Sequence, residues 1–146
     1  MFQEAFNLAR LPIVISFIIT PVRFSLELIG LPELAIFLIG LLWFTMAFSI
    51  YFGFKQFDNK NPYHLLLLTL IIFSPISRIP VFLLWWIDTT WEIGTHYNIF
   101  TSWGQALVGQ LFYGSFVQII PGFIMGSLVL IIMRSRSKSN MKVESK

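Results

Sequence analysis

From Leu34 through Phe54 the chain carries no charged residue, and this run constrains the fold more than any other feature. A bilayer core about 30 Å thick is crossed by about 20 predominantly apolar residues in a helix, and the run has that length. The remaining sequence does not supply a soluble surface. Of 146 residues, 56% are hydrophobic and only 12% charged, and mean hydropathy is +0.77. Soluble domains carry about 45–50% apolar and about 25% charged residues. The composition excludes an ordinary cytosolic globule, a disordered chain and, with Cys 0, a disulfide-stapled secreted module. The expected class is all-α: a polytopic integral membrane protein built as a bundle of four, or alternatively three, transmembrane helices.

At about 20 residues per span, the chain holds one membrane domain over 1–133 and a basic tail over 134–146, with no room for a soluble catalytic module. The second span reads as an unbroken run from Glu33 to Phe54. Lys55 to Pro62 is a polar turn, because Asn, Asp and Pro favour turn conformations. A third span runs from Tyr63 to Ile87 and holds Ser74, Pro75, Ser77, Arg78 and Pro80. Asp88 to Trp103 is a loop rich in Trp and acid. The fourth span covers Gly104 to Met133 and contains Pro121. The N-terminal segment is the ambiguous one. Leu11 to Val22 is short and flanked by Arg10 and Arg23, and extending it to Gly30 places Arg23 and Glu27 in the membrane. The early Glu4 and the lack of a small-residue cleavage site argue against a cleaved signal peptide. No internal repeat or heptad pattern is present.

Charge placement gives a topology. Arg134, Arg136, Lys138, Lys142 and Lys146 crowd the tail, and Lys55 and Lys60 occupy the second turn, whereas Asp88, Glu92 and His96 lie in a loop without Lys or Arg. The positive-inside rule places the second turn and both termini in the cytoplasm and the acidic loop outside. Trp85, Trp86, Trp91, Tyr97 and Trp103 cluster at that outer boundary, where amphipathic rings favour the headgroup level. The net charge of +3 and pI of about 9.5 follow from the tail, which meets anionic lipid rather than nucleic acid.

Arg78 is the most informative single residue. Counted from Asp88 at about 1.5 Å per residue, it lies about 15 Å deep, where an Arg costs about 2.5–3.5 kcal/mol and demands a partner or water. Glu27 and Glu33 are the expected partners. Arg23 and Glu27 stand four residues apart and face one side of a helix. Together Arg23, Glu27, Glu33 and Arg78 form a candidate intramembrane polar cluster, read either as an ion-paired packing device or as an anion, headgroup or proton site. Asp88, Glu92 and His96 recur at four-residue spacing and are weak candidates for a metal or for acid–base chemistry; no zinc or di-metal motif accompanies them, so no metal or cofactor is expected. His64 reads as an interfacial residue.

The fourth span carries small and amide residues at four-residue steps: Ala106, Gln110, Gly114, Gln118, Gly122 and Gly126. Such a row follows the i±4 ridge of a helix, and Gly122 to Gly126 is a GxxxG motif that admits close helix approach. Gln110 and Gln118 are unfavourable against lipid and suited to hydrogen bonding across a helix interface.

Ser74-Pro75-Ile76-Ser77-Arg78-Ile79-Pro80-Val81-Phe82-Leu83-Leu84 resembles a short stretch of acyltransferase-3-type membrane enzymes. The resemblance spans only these residues, Trp85 stands where that family has glycine, and the chain is too short for the family's many spans. No matching catalytic His region is present, and no resemblance covers the whole chain. Three function classes follow. The first is a packing or accessory subunit, associating with itself or with another membrane protein. The second is a small transporter or channel organised around Arg78. The third is an outer-facing enzyme using Asp88, Glu92 or His96, for which no catalytic signature exists.

Overall fold

The structure, a computed structural model, describes residues 1–144; the side chains of Glu33 and of residues 138–144 lie outside that description. Every described element is helical, and four helices are long and apolar enough to cross a membrane. The ambiguous N-terminal segment is one continuous helix, α1 (Phe2–Leu28), with Pro12 and Pro21 inside it. Its length resolves the choice between three spans and four. Gly30, at φ +87°, turns the chain towards the second span.

The second span is not the unbroken run its sequence suggests. It consists of a short α2 (Glu33–Leu38) and a longer α3 (Leu41–Gln56), separated at Ile39 and Gly40. Gly40 adopts an extended conformation there, consistent with its low helix propensity. The third span is likewise two pieces, α4 (Pro62–Ser77) and α5 (Ile79–Trp91), jointed at Arg78. Pro80 lacks an N–H and its ring crowds the preceding turn, which accounts for the joint. The fourth begins as α6 (Trp103–Leu107), widens into a π-helical stretch (Val108–Tyr113), and continues as α7 (Gly114–Glu144). The helix thus runs on through the first part of the basic tail rather than stopping at Met133.

Small residues at four-residue steps hold the spans together. On α1 the buried stripe is Ala5, Ala9, Pro12, Ser16, Thr20 and Phe24, and α1 packs on α4. On α3 it is Leu41, Thr45, Ser49 and Gly53, set against the glycines of α7. A Cβ on Gly126 would lie 2.6 Å from Leu66 Cδ2 and 3.1 Å from the Ser49 carbonyl oxygen. One on Gly122 would lie 3.0 Å from Thr45 Cγ2, and one on Gly53 2.8 Å from Val129 Cβ. Real Cβ atoms do not approach so closely, so the backbones meet only because these positions lack side chains. Several buried hydroxyls are satisfied locally: Thr45, Ser49 and Thr69 each donate to the carbonyl four residues back, at 2.6, 2.8 and 2.7 Å, whereas those of Ser74 and Ser127 have no partner among the described residues.

The outer faces are apolar. Phe112, Phe116, Ile120, Ile124, Leu128 and Ile131 are all exposed along one side of the fourth span. In water this patch would drive aggregation; against hydrocarbon it costs nothing. The protein is built as an integral membrane protein.

The two ends of the bundle are defined by contacts. At one, here the turn end, the Asn59 amide donates to Glu4 at 3.0 Å, and Arg134 donates to the Phe57 and Asn59 carbonyls at 2.8 and 2.7 Å. The N-terminus, the 57–61 turn and the start of the basic segment therefore meet. The other, the loop end, carries residues 92–102.

Candidate functional site

Three of the four spans carry a backbone irregularity towards the loop end, namely the break at Gly40, the joint at Arg78 and the π-helical stretch, while α1 runs on through Pro21. They surround one cavity of about 290 Å³, lined by Arg23, Arg78, Gln110, His96 and Tyr97 together with Gly40 and apolar side chains. Irregular backbone at membrane depth is tolerated where it is buried in protein or lines a polar cavity, and here it does the second.

Arg78 extends from the joint towards the widened helix. Its guanidinium donates to the Gly114 carbonyl at 2.9 Å and, at 3.4 Å, to the Gln110 side-chain oxygen. A Cβ on Gly114 would fall 2.8 Å from the guanidinium carbon, so glycine is needed for this approach. Among the described residues Arg78 has no carboxylate partner. The expected pairing with Glu27 does not form, because Glu27 is engaged elsewhere; the Glu33 side chain lies outside the description.

Glu27 instead holds the loop. One oxygen accepts from the His96 backbone N–H at 2.6 Å, and the other contacts His96 Nδ1. Arg23, four residues earlier, forms no ion pair with Glu27 among the described residues and lies 5.9 Å from the Tyr97 ring centroid in cation–π geometry. Tyr97 is 2% exposed and packs edge-on against Phe24. Burial pushes its phenol up to about 12, with nearby Arg23 pulling the other way; at neutral pH the hydroxyl therefore keeps its proton and remains a donor.

Three donors at this cavity are buried and lack a partner among the described residues: Arg23 Nε–H, Arg78 Nε–H and the Tyr97 hydroxyl. The described lining contains no carboxylate. Guanidinium groups carry five N–H donors each and no acceptor. The two guanidinium groups set positive charge beside the space, and an oxyanion is its chemical complement. Deeper in the bundle, Ser77 donates to the Ser74 carbonyl at 2.8 Å, and its oxygen lies 3.3 Å from the Gln118 side-chain amide.

The other sequence-derived residues lie elsewhere. Asp88, Glu92 and His96 do not share a helical face, since α5 ends at Trp91 and Glu92 takes a left-handed φ of 50°. Asp88 is fully buried and accepts from the Gly94 and Thr95 N–H groups at 2.7 and 3.0 Å and from the Thr95 hydroxyl. That is a loop anchor. Glu92 points to the exterior, and no group of three potential metal ligands occurs among the described residues. In the fourth span Ala106, Gln110, Gln118, Gly122 and Gly126 are buried, with Gly114 partly so. Gly114 and Gln110 belong to the cavity, whereas Gly122 and Gly126 belong to the packed half. Sequence reasoning placed Tyr97 among the boundary aromatics and missed its position over Arg23. It also missed the π-helical stretch, whose Gly109 is covered by the Phe100 ring.

No protein-family model, no characterised protein and no solved structure matches this chain, so the short acyltransferase-like stretch gains no support. In the structure that stretch is the Arg78 joint and its flanks.

Proposed function

We propose that this protein is a membrane-embedded binding protein for an oxyanion, held in the cavity between Arg23, Arg78, Tyr97 and Gln110. The observation that carries this reading is the set of three buried donors without partners around one space. Leaving such groups unsatisfied costs about 1–3 kcal/mol each, and more when charged. An arrangement that does this three times at one cavity is accounted for by a ligand that supplies acceptors and negative charge.

Binding is favoured over conduction. Towards the turn end the bundle closes on Phe52, Leu65, Leu66, Leu70, Phe73 and Leu130, each at most 2% exposed. A site sealed towards the turn end holds a ligand without passing it through. Catalysis is not favoured either, because Asp88 is spent on the loop and Glu27 on His96. Self-association through Gly122 and Gly126 loses its basis, since both are covered within the chain. In orientation we read the turn end, with Lys55, Lys60, Arg134 and Arg136, as cytoplasmic, which sets the cavity in the outer half.

Calorimetric titration of the detergent-solubilised protein with inorganic phosphate tests the reading. Saturable binding is expected, weakened about tenfold in Arg78→Gln and in Arg23→Gln. Undetectable binding to wild type, or equal affinity in folded forms of both variants, overturns it.

A further inference from the structure

The ligand class can be narrowed by asking where the cavity opens. Its polar end is capped from the loop side. The Tyr97 ring lies over Arg23, Glu27 fastens His96, and Asp88 fastens residues 94 and 95. Its other end is apolar and opens sideways: Phe37, Ile39, Trp43, Ile99 and Val117 line it and are 53, 38, 43, 67 and 55% exposed. Phe37, Ile39, Trp43 and Val117 lie on the outer surface of the spans, which faces hydrocarbon, and Ile99 lies on the loop. The break at Gly40 creates the gap by ending α2 short of α3. A second hollow of about 460 Å³ continues from Arg23, Glu27, Phe37 and His96 along α2 past Leu34 and Ile36, with the Glu27 carboxylate engaged by His96.

Depth points the same way. The third span from Pro62 to Trp91 has 30 residues and is about 45 Å long at 1.5 Å per residue, against a core of about 30 Å. Counting from Asp88 therefore exaggerates the depth of Arg78. Counted from Tyr63, beside the basic turn, Arg78 stands about 22 Å up the span, which leaves about 8 Å to the far boundary of the core. Arg78 thus lies in the outer part of the core, within reach of the headgroup level, where snorkelling guanidinium groups meet lipid phosphates.

Building on the oxyanion reading, we infer that the ligand is an anionic amphiphile. Its oxyanion head sits between Arg23, Arg78 and Tyr97, and its hydrocarbon chain leaves through the lateral gap past Ile39, Trp43 and Val117. Charge complementarity selects the head and the apolar, lipid-facing gap selects the tail. A free anion would use only the first half of this surface and would have to pass the fastened loop to reach it.

Trp43 at the gap provides a reporter. The full chain is placed in phosphatidylcholine discs, and lipids brominated along the chain are titrated in; the signal of Trp43 is the difference between wild type and Trp43→Phe. Brominated phosphatidylglycerol is expected to quench that signal at about tenfold lower mole fraction than brominated phosphatidylcholine (about 1.4 kcal/mol). The preference should fall severalfold in Tyr97→Phe, which removes one donor without altering charge, and vanish in Arg78→Gln if that variant folds. Equal quenching by the two lipids, while inorganic phosphate still binds the solubilised protein, overturns the amphiphile and leaves the oxyanion reading standing. Equal quenching without phosphate binding overturns both.

Discussion

The two halves of the bundle use the same four spans in opposite ways. At the turn end the helices are regular, the interior is Leu, Phe and Ala, and backbones meet through Gly53, Gly122 and Gly126. At the loop end three of the four spans are interrupted, the interior holds two arginines, a glutamine and a tyrosine, and a cavity remains. In hydrocarbon a helix satisfies its own backbone, so the regular half needs no polar contacts and gains stability from close packing. The broken half gives up some of that packing to aim side chains and a carbonyl at one point. The division teaches that the packed half is the scaffold and the interrupted half is the working part.

The comparison predicts a hierarchy of mutational effects. The largest belongs to the scaffold. Gly126→Leu forces a side chain into Leu66 and the Ser49 backbone, and should cost about 3 kcal/mol or more in a reversible detergent-unfolding titration. An unchanged midpoint would mean that this face does not hold the bundle. Next is the loop anchor. Asp88→Ala leaves two N–H groups and a hydroxyl without their acceptor, for about 2 kcal/mol. The loss should appear as faster amide exchange at residues 93–97, with exchange in α3 and α7 unaffected.

A smaller effect sharpens the assignment of Arg78. A double-mutant cycle between Arg78→Ala and Gln110→Ala should show coupling of about 1 kcal/mol, whereas the cycle with Glu27→Gln should stay under about 0.5 kcal/mol. The reverse order would mean that the carboxylate, not the amide, answers the guanidinium. The smallest stability effect separates working part from scaffold most cleanly. Tyr97→Phe deletes a hydroxyl that has no partner, so its stability should stay within about 0.5 kcal/mol of wild type or rise slightly. Phosphate affinity should nevertheless drop about fivefold.

How far the sequence reveals all this differs between the halves. The spans follow from apolar run lengths, and the packed half is written as small residues every four positions: Gly122 and Gly126 on the fourth span, and equally Thr45, Ser49 and Gly53 on the second and Ala5 and Ala9 on the first. The interruptions are less legible, because like cues have unlike outcomes. Pro21 leaves α1 continuous while Gly40 ends a helix, and Val108–Tyr113 carries no signal at all for its widened turns. That stretch is tied to tertiary contacts, Phe100 against Gly109 and Arg78 against Gly114. Charge alone pointed Arg78 to a carboxylate, but which acceptor it meets depends on the loop. His96 takes Glu27, and a loop conformation with Glu92 and Gly94 at positive φ has no local sequence rule that fixes it. The spacing of Asp88, Glu92 and His96 implied a shared face only while the helix was assumed to continue past Trp91.

The central claim, that the unpartnered donors of the loop-end half are completed by an oxyanion, is tested most directly by an experimental structure of the full chain in bilayer discs containing phosphatidylglycerol. Headgroup oxygen density is expected within about 3 Å of Arg23, Arg78 and the Tyr97 hydroxyl, with chain density leaving beside Trp43. A cavity filled by water alone, or by a carboxylate of the chain itself such as Glu33, would contradict it.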